Sequence, residues 1–452
     1  MGGEWRVRKI GTFAKAKGGK RLPKSIALQT EKNNHPYIRV VDFTDGKIHQ
    51  DSLLYVPNDA ISAIQRYRVA ANDVIISIVG TIGAIAQVPQ ELHGANLTEN
   101  AAKLYFTEED VDASYVAYYL KSSLGQHEIT INTVGSTQSK LPLYGIENIN
   151  VALPPLKEQQ AIACVLGSLD DKIELNRKMN QTLEEMARAI FKSWFVDFDP
   201  VHAKAAVRRE HPNWTNEQVS RTACPKLKPE IAELFPDAFE DSELGEIPKG
   251  WEVKPLPELI EVNPTRTLRK GEFAPYLDMA NMPTRGHSPD TVTERPFGSG
   301  MRFVNGDTLV ARITPCLENG KTAFVDFLTD GQVGWGSTEY IVLRPKPPLP
   351  VEFAYCLARS DGFRDFAIQR MTGSSGRQRV PAELLAHFRL VDADRSVTEL
   401  FGRLVQPLFA RAGAATRESR ILAALRDALL PKLISGELRV KDAEKFVERV
   451  AI

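Results

Sequence analysis

The sequence predicts a mixed α/β fold in which two similar domains are separated by two long helices. Three observations predict it: an internal repeat, short β-branched segments in the first part of each repeat, and a heptad pattern in the second part. The chain has 452 residues, of which 43% are apolar and 25% are charged. These values are usual for globular proteins, so a disordered chain, a collagen-like repeat and a small disulfide-stapled fold are excluded.

The internal repeat rests on short matches that recur in the same order, about 240 residues apart. Trp5-Arg-Val recurs as Trp251-Glu-Val at the start of the second repeat. The later matches are Pro36-Tyr-Ile with Pro275-Tyr-Leu, Thr98-Glu99 with Thr338-Glu339, Ala117-Tyr118 with Ala354-Tyr355, and Gly135-Ser136 with Gly373-Ser374. Because both the order and the spacing are kept, we interpret the chain as an internal duplication.

The first part of each repeat is predicted to mix strands and helices. Residues 73–79 and 307–313 are short runs of aliphatic and β-branched side chains, and such runs are typical of buried strands. Helical patterns are clearest at residues 115–122 and 352–360. Each repeat is therefore expected to begin with a mixed α/β domain of about 150 residues.

The second part of each repeat carries a heptad pattern, in which seam residues recur at alternating spacings of four and three. The seam runs from Ile162 to Trp194 in the first repeat and from Val397 to Leu429 in the second. Two long helices are predicted. Pro407 is expected to dent the second helix near its start, because proline removes a backbone donor.

The two helices are expected to pair with each other. A long narrow seam is poorly buried by a small globular surface, which disfavours the alternative of two amphipathic helices packed separately on their own domains. The polar seam pairs Asn176 with Arg411 and Asn180 with Ala415 are interpreted as register positions.

The charge is balanced overall but not locally. Lys and Arg number 57, as do Asp and Glu. Residues 1–24 carry eight basic side chains against Glu4, whereas residues 230–246 carry seven acids and no base. The net charge of zero therefore says nothing about a polyanionic partner.

No feature of the sequence predicts a membrane or secreted location. The longest apolar stretch, residues 74–86, is interrupted by polar and glycine residues and is shorter than the ~20 residues of a membrane span. The basic N-terminus is followed by no apolar segment, and Arg6 stands where a myristoylation signal has serine or threonine. The four cysteines, Cys164, Cys224, Cys316 and Cys356, have no paired spacing, which is typical of a reducing compartment. The chain is predicted to be cytoplasmic.

Two enzymatic motifs are matched only in part. Gly320-Lys321-Thr322 has the end of a phosphate-binding loop, but Pro315 replaces the glycine that such a loop needs. A metal nuclease motif is matched only loosely, by Pro236-Asp237 followed by Glu252-Val253-Lys254. The first repeat has the basic Arg6 in place of the acidic Glu252.

The remaining chemical signals are weaker. Asn263-Pro264-Thr265 is not the Asn/Asp-Pro-Pro-aromatic loop with which a methyltransferase holds a flipped base. His202, His211 and Cys224 lack the spacing of metal ligands and are interpreted as solvated linker residues. The sequence predicts no catalytic residue and no metal site.

Two polar, basic loops occupy matching places in the repeats, at residues 135–140 and 373–379. Glutamine can pair with adenine, arginine with guanine, and hydroxyl or lysine groups with phosphate, so these loops suit a DNA groove. The alternative is a solvated turn leading into a strand. The candidate DNA-binding residues are Lys17, Lys20, Arg21, Thr81, Ser136, Thr137, Gln138, Lys140, Arg266, Arg269, Arg312, Ser374, Arg377, Gln378 and Arg379.

Three further segments resemble the central conserved region of the specificity subunit of type I restriction-modification systems. They are residues 153–162 (LPPLKEQQAI), 169–177 (LDDKIELNR) and 191–201 (FKSWFVDFDPV). Residues 244–251 resemble the entry to that family's second recognition domain, and residues 430–438 resemble its C-terminal end. The resemblance covers essentially the whole chain, but residues 392–397 depart from the Pro-Pro-Leu-x-Glu-Gln-Gln pattern.

The resemblance implies two target recognition domains related by a pseudo-twofold axis, each reading one half of a split sequence in double-stranded DNA. The conserved helices would form an antiparallel coiled coil that sets the spacing. Two modification subunits would dock on this scaffold and methylate adenine with S-adenosylmethionine, and two restriction subunits would use ATP and Mg to cut unmodified DNA. This chain would be non-catalytic and bind no cofactor itself.

The resemblance also divides the chain. The parts are recognition domain 1 (1–152), conserved helix 1 (153–198), an acidic proline-containing linker (199–248), recognition domain 2 (249–391) and conserved helix 2 (392–440). Phe191, Trp194 and Phe195 are candidates for a surface that docks the modification subunit, and the alternative is that they pack the helix against its own domain.

Two other classes of function remain as alternatives. One is a coiled-coil scaffold that binds only proteins, which the basic loops in both repeats disfavour. The other is a stand-alone DNA-binding regulator, which would bind a specific site without any modification subunit.

Overall fold

The computed structural model describes residues 5–43, 46–135, 139–289, 291–374 and 376–450. The chain divides into two compact units. Unit 1 consists of Met1–Ile173 and Arg420–Ile452, and unit 2 of Glu174–Ser419.

Unit 1 contains nine strands, counted over the described residues, and short helices between them. The strands are β1 (Arg6–Lys9), β2 (Ala14–Gly18), β3 (Pro36–Ile38), β4 (Leu54–Tyr55), β5 (Val74–Ser77), β6 (Ile85–Gln87), β7 (Asn96–Leu97), β8 (Ala101–Phe106) and β9 (Asn150–Leu153). The helices are α1 (Ile61–Ile64), α2 (Ala113–Lys121), α3 (Ser123–Ile131) and α4 (Leu143–Asn148), followed by the long helix α5 (Leu156–Phe195), which continues into unit 2.

Unit 2 contains the remaining strands. They are β10 (Phe239–Ser242), β11 (Gly245–Pro248), β12 (Glu252–Pro255), β13 (Ile260–Val262), β14 (Phe273–Leu277), β15 (Thr293–Pro296), β16 (Met301–Phe303), β17 (Thr308–Ala311), β18 (Thr322–Phe324), β19 (Gly334–Gly336), β20 (Tyr340–Pro345) and β21 (Arg389–Asp392). Its helices are α6 (Asp199–Glu210), α7 (Asn216–Ala223), α8 (Pro229–Ala232), α9 (Leu256–Leu259), α10 (Val351–Ala358) and α11 (Asp361–Gln369). The long helix α12 (Arg395–Ile434) begins here and ends in unit 1, where α13 (Val440–Val450) follows it.

The main sheets of the two units have equivalent strand orders. The main sheet of unit 1 is β2-β8-β5-β6 and that of unit 2 is β13-β20-β17-β18, both antiparallel. A second sheet is β4-β3-β7 in unit 1 and β15-β14-β19-β16 in unit 2, each with one parallel pair. Strands β1 and β9 pair in the first, as β12 and β21 do in the second. This equivalence agrees with the predicted duplication.

The strands predicted from β-branched runs form the middle of the main sheets. Every residue of β5 and of β17 is buried. Helix α2 packs on β5 and β6, and helix α10 packs on β17, β18 and β20. Each is followed by a second helix whose N-terminus is capped by a serine hydroxyl, Ser122 for α3 and Ser360 for α11.

The long helices α5 and α12 each span 40 residues. Helix α12 continues through Pro407, so the proline does not end it. Within unit 2, Asn180 Nδ2 donates to Thr416 Oγ1 at 2.9 Å, and the rings of Phe195 and Phe401 lie 5.1 Å apart. Later residues of α5 therefore contact earlier residues of α12, and the two helices pack antiparallel.

The predicted polar pairs in the seam are wrong in their partners. The buried Asn176 donates from Nδ2 to Glu418 Oε2 at 2.8 Å and to Ser419 Oγ at 3.2 Å, rather than meeting Arg411. Asn180 meets Thr416 instead of Ala415. The prediction compared equal positions along two heptad patterns, whereas antiparallel packing brings opposite ends of the patterns together.

Residues 199–248, expected to form a linker, instead fold into three helices and a hairpin. Lys204 is fully buried, and its Nζ donates to Asn216 Oδ1 at 2.8 Å and to the carbonyl of Ala232 at 2.9 Å. Burial lowers the pKa of Lys204. Cys224 is buried as well, so its interpretation as a solvated residue was wrong. The acidic composition concealed buried apolar side chains in this segment: Val201, Phe235 and Ile247 join the core of unit 2, and Val219 is buried as well.

Two absences hold for the described residues. None of their helices combines the length and the apolar character needed to cross a membrane. They contain no group of three or more His, Cys, Asp or Glu side chains that could hold a metal ion.

Candidate DNA-recognition surface

The first predicted loop is closed by the backbone of unit 1. The amide of Val134 donates to the carbonyl of Lys140, and the amide of Lys140 donates back, both at 2.9 Å. Lys140 also forms a β-bridge with Val79, just after β5. The amide of Leu141 donates to the carbonyl of Ile78 at 3.0 Å. The loop is therefore fixed to the C-terminal end of a buried strand.

The second predicted loop is closed in the same way in unit 2. Thr372 and Arg379 exchange backbone hydrogen bonds of 2.9 and 2.8 Å, and Arg379 forms a β-bridge with Ile313 after β17. The amide of Val380 donates to the carbonyl of Arg312 at 2.9 Å. In both units the residue that closes the loop is a cation, Lys140 or Arg379.

The described candidates of unit 1 lie at one end of its main sheet. Ser136, Thr137 and Gln138 fall outside the described residues. Lys17, Lys20, Arg21, Thr81 and Lys140 are exposed. The amide of Lys20 donates to the carbonyl of Leu97, and the amide of Ile78 to the carbonyl of Asn100. These bonds join the segments that follow β2, β7 and β5, at the end of the sheet where Lys140 also lies.

Aromatic rings and one carboxylate accompany the basic residues of unit 1. Lys17 Nζ lies 4.8 Å from the ring centre of Tyr105, and Lys20 Nζ lies 5.9 Å from that of Tyr67. Arg21 Nε is 3.6 Å from Glu99 Oε1. Exposed cations beside aromatic faces suit contact with phosphate and sugar groups.

Two candidates of unit 2, Arg312 and Arg379, converge on one carboxylate. Arg379 Nε donates to both oxygens of Glu339, at 2.8 and 2.9 Å, and Arg312 Nε lies 3.4 Å from Oε2. The carbonyl of Gln378 accepts from the amide of Thr314 at 3.0 Å, which holds the loop beside the segment that follows β17. Ser374 and Arg377 are exposed on the same loop.

Arg266 does not belong to this group. Its Nη2 lies 3.3 Å from Oδ1 of Asp307, which is fully buried and also contacts Arg344. Burial raises the pKa of Asp307, although the two guanidinium groups oppose this shift. Arg266 is half-buried and paired with this carboxylate, which disfavours it as a DNA contact relative to the exposed candidates. Arg269 is exposed, but no contact joins it to Arg312 or Arg379 among the described residues.

Two equivalent tyrosines, one on α2 and one on α10, form hydrogen bonds to helix α5. The sequence alone gave them no role. Tyr118 donates to Asp170 Oδ2 at 2.7 Å, and Tyr355 donates to Glu184 Oε1 at 2.9 Å. Burial acts to raise the pKa of Asp170, but hydrogen bonds from Arg426 and Tyr118 outweigh it and hold that pKa below its usual value. The Ala-Tyr match between the repeats was the available signal.

Arg359 organises two loops of unit 2 and was also missed. The side chain is buried, and Nη1 donates to the carbonyls of Thr284 (2.6 Å) and Gly320 (2.9 Å). Nη2 donates to those of Gly286 (2.7 Å) and Thr322 (3.0 Å). One guanidinium therefore fixes the segments before β15 and before β18.

The aromatic residues predicted to dock a partner are core residues. Phe191, Trp194 and Phe195 are only 2%, 4% and 7% exposed, and the rings of Phe191 and Phe195 lie 5.0 and 5.2 Å from that of Phe353. Phe191 and Phe195 also line part of a cavity of about 550 Å³, but Trp194 does not. The prediction of a docking surface is corrected in favour of internal packing, because rings this deep offer a partner little area.

Comparison with known proteins identifies a family that this chain is similar to. The family model described as "Type I restriction modification DNA specificity domain" matches residues 2–185. Across 97% of its length the chain is 24% identical to the type I restriction enzyme MjaIX specificity subunit of Methanocaldococcus jannaschii, of which it covers 94%. These matches support a type I restriction-modification specificity subunit.

Other relatives agree with this assignment. The HindI specificity subunit of Haemophilus influenzae is 24% identical over 65% of this chain and 70% of its own length. The S subunit of a type I restriction-modification system from M. genitalium has a similar fold, with a TM-score of 0.54 and 15% identity over 95% of this chain and 96% of that one. A specificity subunit recognises DNA for its restriction system, so the two closed loops are the first places to look for base contacts.

Proposed function

We propose that this specificity subunit reads a bipartite DNA target, with each unit reading one half. The observation that carries the proposal is the repeated site. Both units hold a polar loop against the end of a buried strand and close it with a cation, Lys140 or Arg379. Two equivalent readers on one chain suit a target made of two half-sites.

The loops have the chemistry that base recognition needs. Arginine pairs bidentately with guanine and glutamine with adenine in the major groove, while lysine and hydroxyl groups bind phosphate. Gln138, Arg377 and Gln378 would supply base contacts. Lys17, Lys20 and Arg21 would bind phosphate and fix the position of unit 1 on the duplex.

Helices α5 and α12 would set the spacer between the half-sites as an antiparallel coiled coil. A helix of 40 residues is about 60 Å long, which corresponds to somewhat less than two turns of DNA at about 34 Å a turn. Two near-equivalent halves would also offer equivalent surfaces to two modification subunits. Two restriction subunits would complete the complex. S-adenosylmethionine, ATP and Mg would act on those partners, and this chain would contribute recognition only.

Substitutions in the loops test the proposal. In the complex with its modification subunits, Arg377→Ala is expected to relax one base position of the half-site read by unit 2, by about 1–3 kcal/mol. Gln138→Ala should act likewise on the other half-site. Lys17→Ala is the matched control, because loss of a phosphate contact should weaken binding to all sequences and lower the salt slope by about one.

The measurement is the methylated motif in cells that carry each variant, together with binding of the purified complex to DNA at several salt concentrations. If Arg377→Ala and Gln138→Ala both leave the methylated sequence unchanged, the loops do not read bases.

A further inference from the structure

A carboxylate stands at the same place in both units, among the residues proposed to face DNA. Glu339 immediately precedes β20, whereas Asn100 separates Glu99 from β8. Each of the two acids follows a threonine. Glu339 is 23% exposed and accepts from Arg379, with Arg312 alongside. Glu99 lies beside Arg21 and accepts from Thr98 Oγ1 at 3.1 Å.

A negative charge here is unfavourable for a surface that binds a polyanion, because it repels phosphate groups. The two arginines offset it in unit 2, so the cluster of Glu339, Arg312 and Arg379 keeps a net positive charge. An acid repeated at such a position needs a benefit beyond electrostatic attraction. The benefit is orientation, because a carboxylate fixes the direction in which a neighbouring guanidinium group points.

The contacts of Arg379 show which part of the group is fixed. Glu339 takes the Nε hydrogen, and Nη1 donates to the carbonyl of Arg377 at 3.1 Å. Nη2 has no acceptor among the described residues, and the side chain is 41% exposed. The end of the guanidinium group is therefore held in place and open to a ligand.

We infer that Glu339 is a positioning residue for base recognition, which orients Arg379 so that its terminal nitrogens meet a guanine. Glu99 stands beside Arg21, the proposed phosphate contact of unit 1, and would orient that guanidinium group towards phosphate rather than a base. The inference rests on the proposed function and adds the base class and the residue that determines it. Guanine fits because its O6 and N7 accept two parallel hydrogen bonds from one arginine. Pre-orientation strengthens such a pair, since less side-chain freedom is lost on binding.

The test compares Glu339→Ala, Arg379→Ala and the double variant in the full complex with its modification subunits. The probe is a duplex carrying the methylated split motif, with each base pair of both half-sites changed in turn. Glu339→Ala is expected to lower discrimination at one G·C pair about tenfold. Affinity for unrelated DNA should stay the same or rise, because a negative charge has been removed.

The double variant separates positioning from other effects. If Glu339 acts through Arg379, adding Glu339→Ala to Arg379→Ala causes no further loss at that base pair. Glu339→Gln keeps one acceptor oxygen and should retain part of the discrimination. Glu99→Ala is the matched control: because Arg21 is the proposed phosphate contact, this substitution should leave base discrimination in both half-sites unchanged.

The outcomes distinguish this inference from the proposed function. An equal loss of affinity for every sequence, or an unchanged preference at every base pair, would overturn the positioning role while leaving the split motif intact. If the complex shows no split motif at all, the proposed function itself fails.

Discussion

Replacing Trp194 by alanine should destabilise unit 2 by about 3–5 kcal/mol, because the substitution removes a large ring from a packed core. Trp194 is 4% exposed, and its ring lies 5.0 Å from that of Phe235 and 6.4 Å from that of Phe401. The ring thereby joins α5 to α12 and to the folded segment 199–248. For a unit of this size the melting temperature should fall by roughly 10 °C. Thermal and urea unfolding, followed by circular dichroism, measure the loss.

Val196→Ala is the matched control for Trp194→Ala. Val196 follows the same helix but is 48% exposed, so its substitution should change stability by less than about 0.5 kcal/mol. A Trp194→Ala chain as stable as the parent, yet unable to hold its modification subunit, would contradict internal packing and restore the docking interpretation.

Arg359→Met is the second substitution with a large expected effect, again about 3–5 kcal/mol of stability. The change leaves the carbonyls of two loops without their donor, and it removes the cation 3.9 Å from the buried Glu184. Both losses are severe because the groups are out of reach of water. Unfolding measurements give the magnitude. Amide hydrogen exchange should show that residues 284–286 and 320–322 lose protection first.

Two comparisons sharpen the Arg359 experiment. Arg359→Lys keeps the charge but loses the planar fork, so it should be only partly stable. Arg403→Met, on an exposed part of α12, should have little effect. If Arg359→Met unfolds like the parent and the two loops keep their exchange protection, the guanidinium does not organise them.

The sequence predicted the features that depend on local pattern. The buried strands at residues 73–79 and 307–313 follow from β-branched runs, and the two long helices follow from the heptads. The duplication was visible because matches such as Trp5 with Trp251 keep their order. The matching polar loops before Leu141-Pro142 and Val380-Pro381 were also visible, but their closure against the ends of β5 and β17 was not predicted.

What the sequence could not predict depends on contacts between distant residues. The seam partners of Asn176 and Asn180 require the helix direction, which a heptad pattern alone does not contain. The ion pair between Arg266 and the buried Asp307 joins residues far apart in the chain, so the sequence did not show it. The aromatic cluster after Ile190 has the composition of either a core or an interface, and only burial distinguishes the two. Glu339 was hidden because an acid is not expected on a DNA-binding surface.

The central claim is that this chain chooses the DNA sequence that its complex modifies. Single-molecule detection of methylated adenine, across the genomes of cells with the gene intact and deleted, tests it most directly. We expect a split motif with a nonspecific gap to be methylated only when the gene is present. Methylated motifs that stay identical after deletion, in cells that express an active modification subunit, would contradict it.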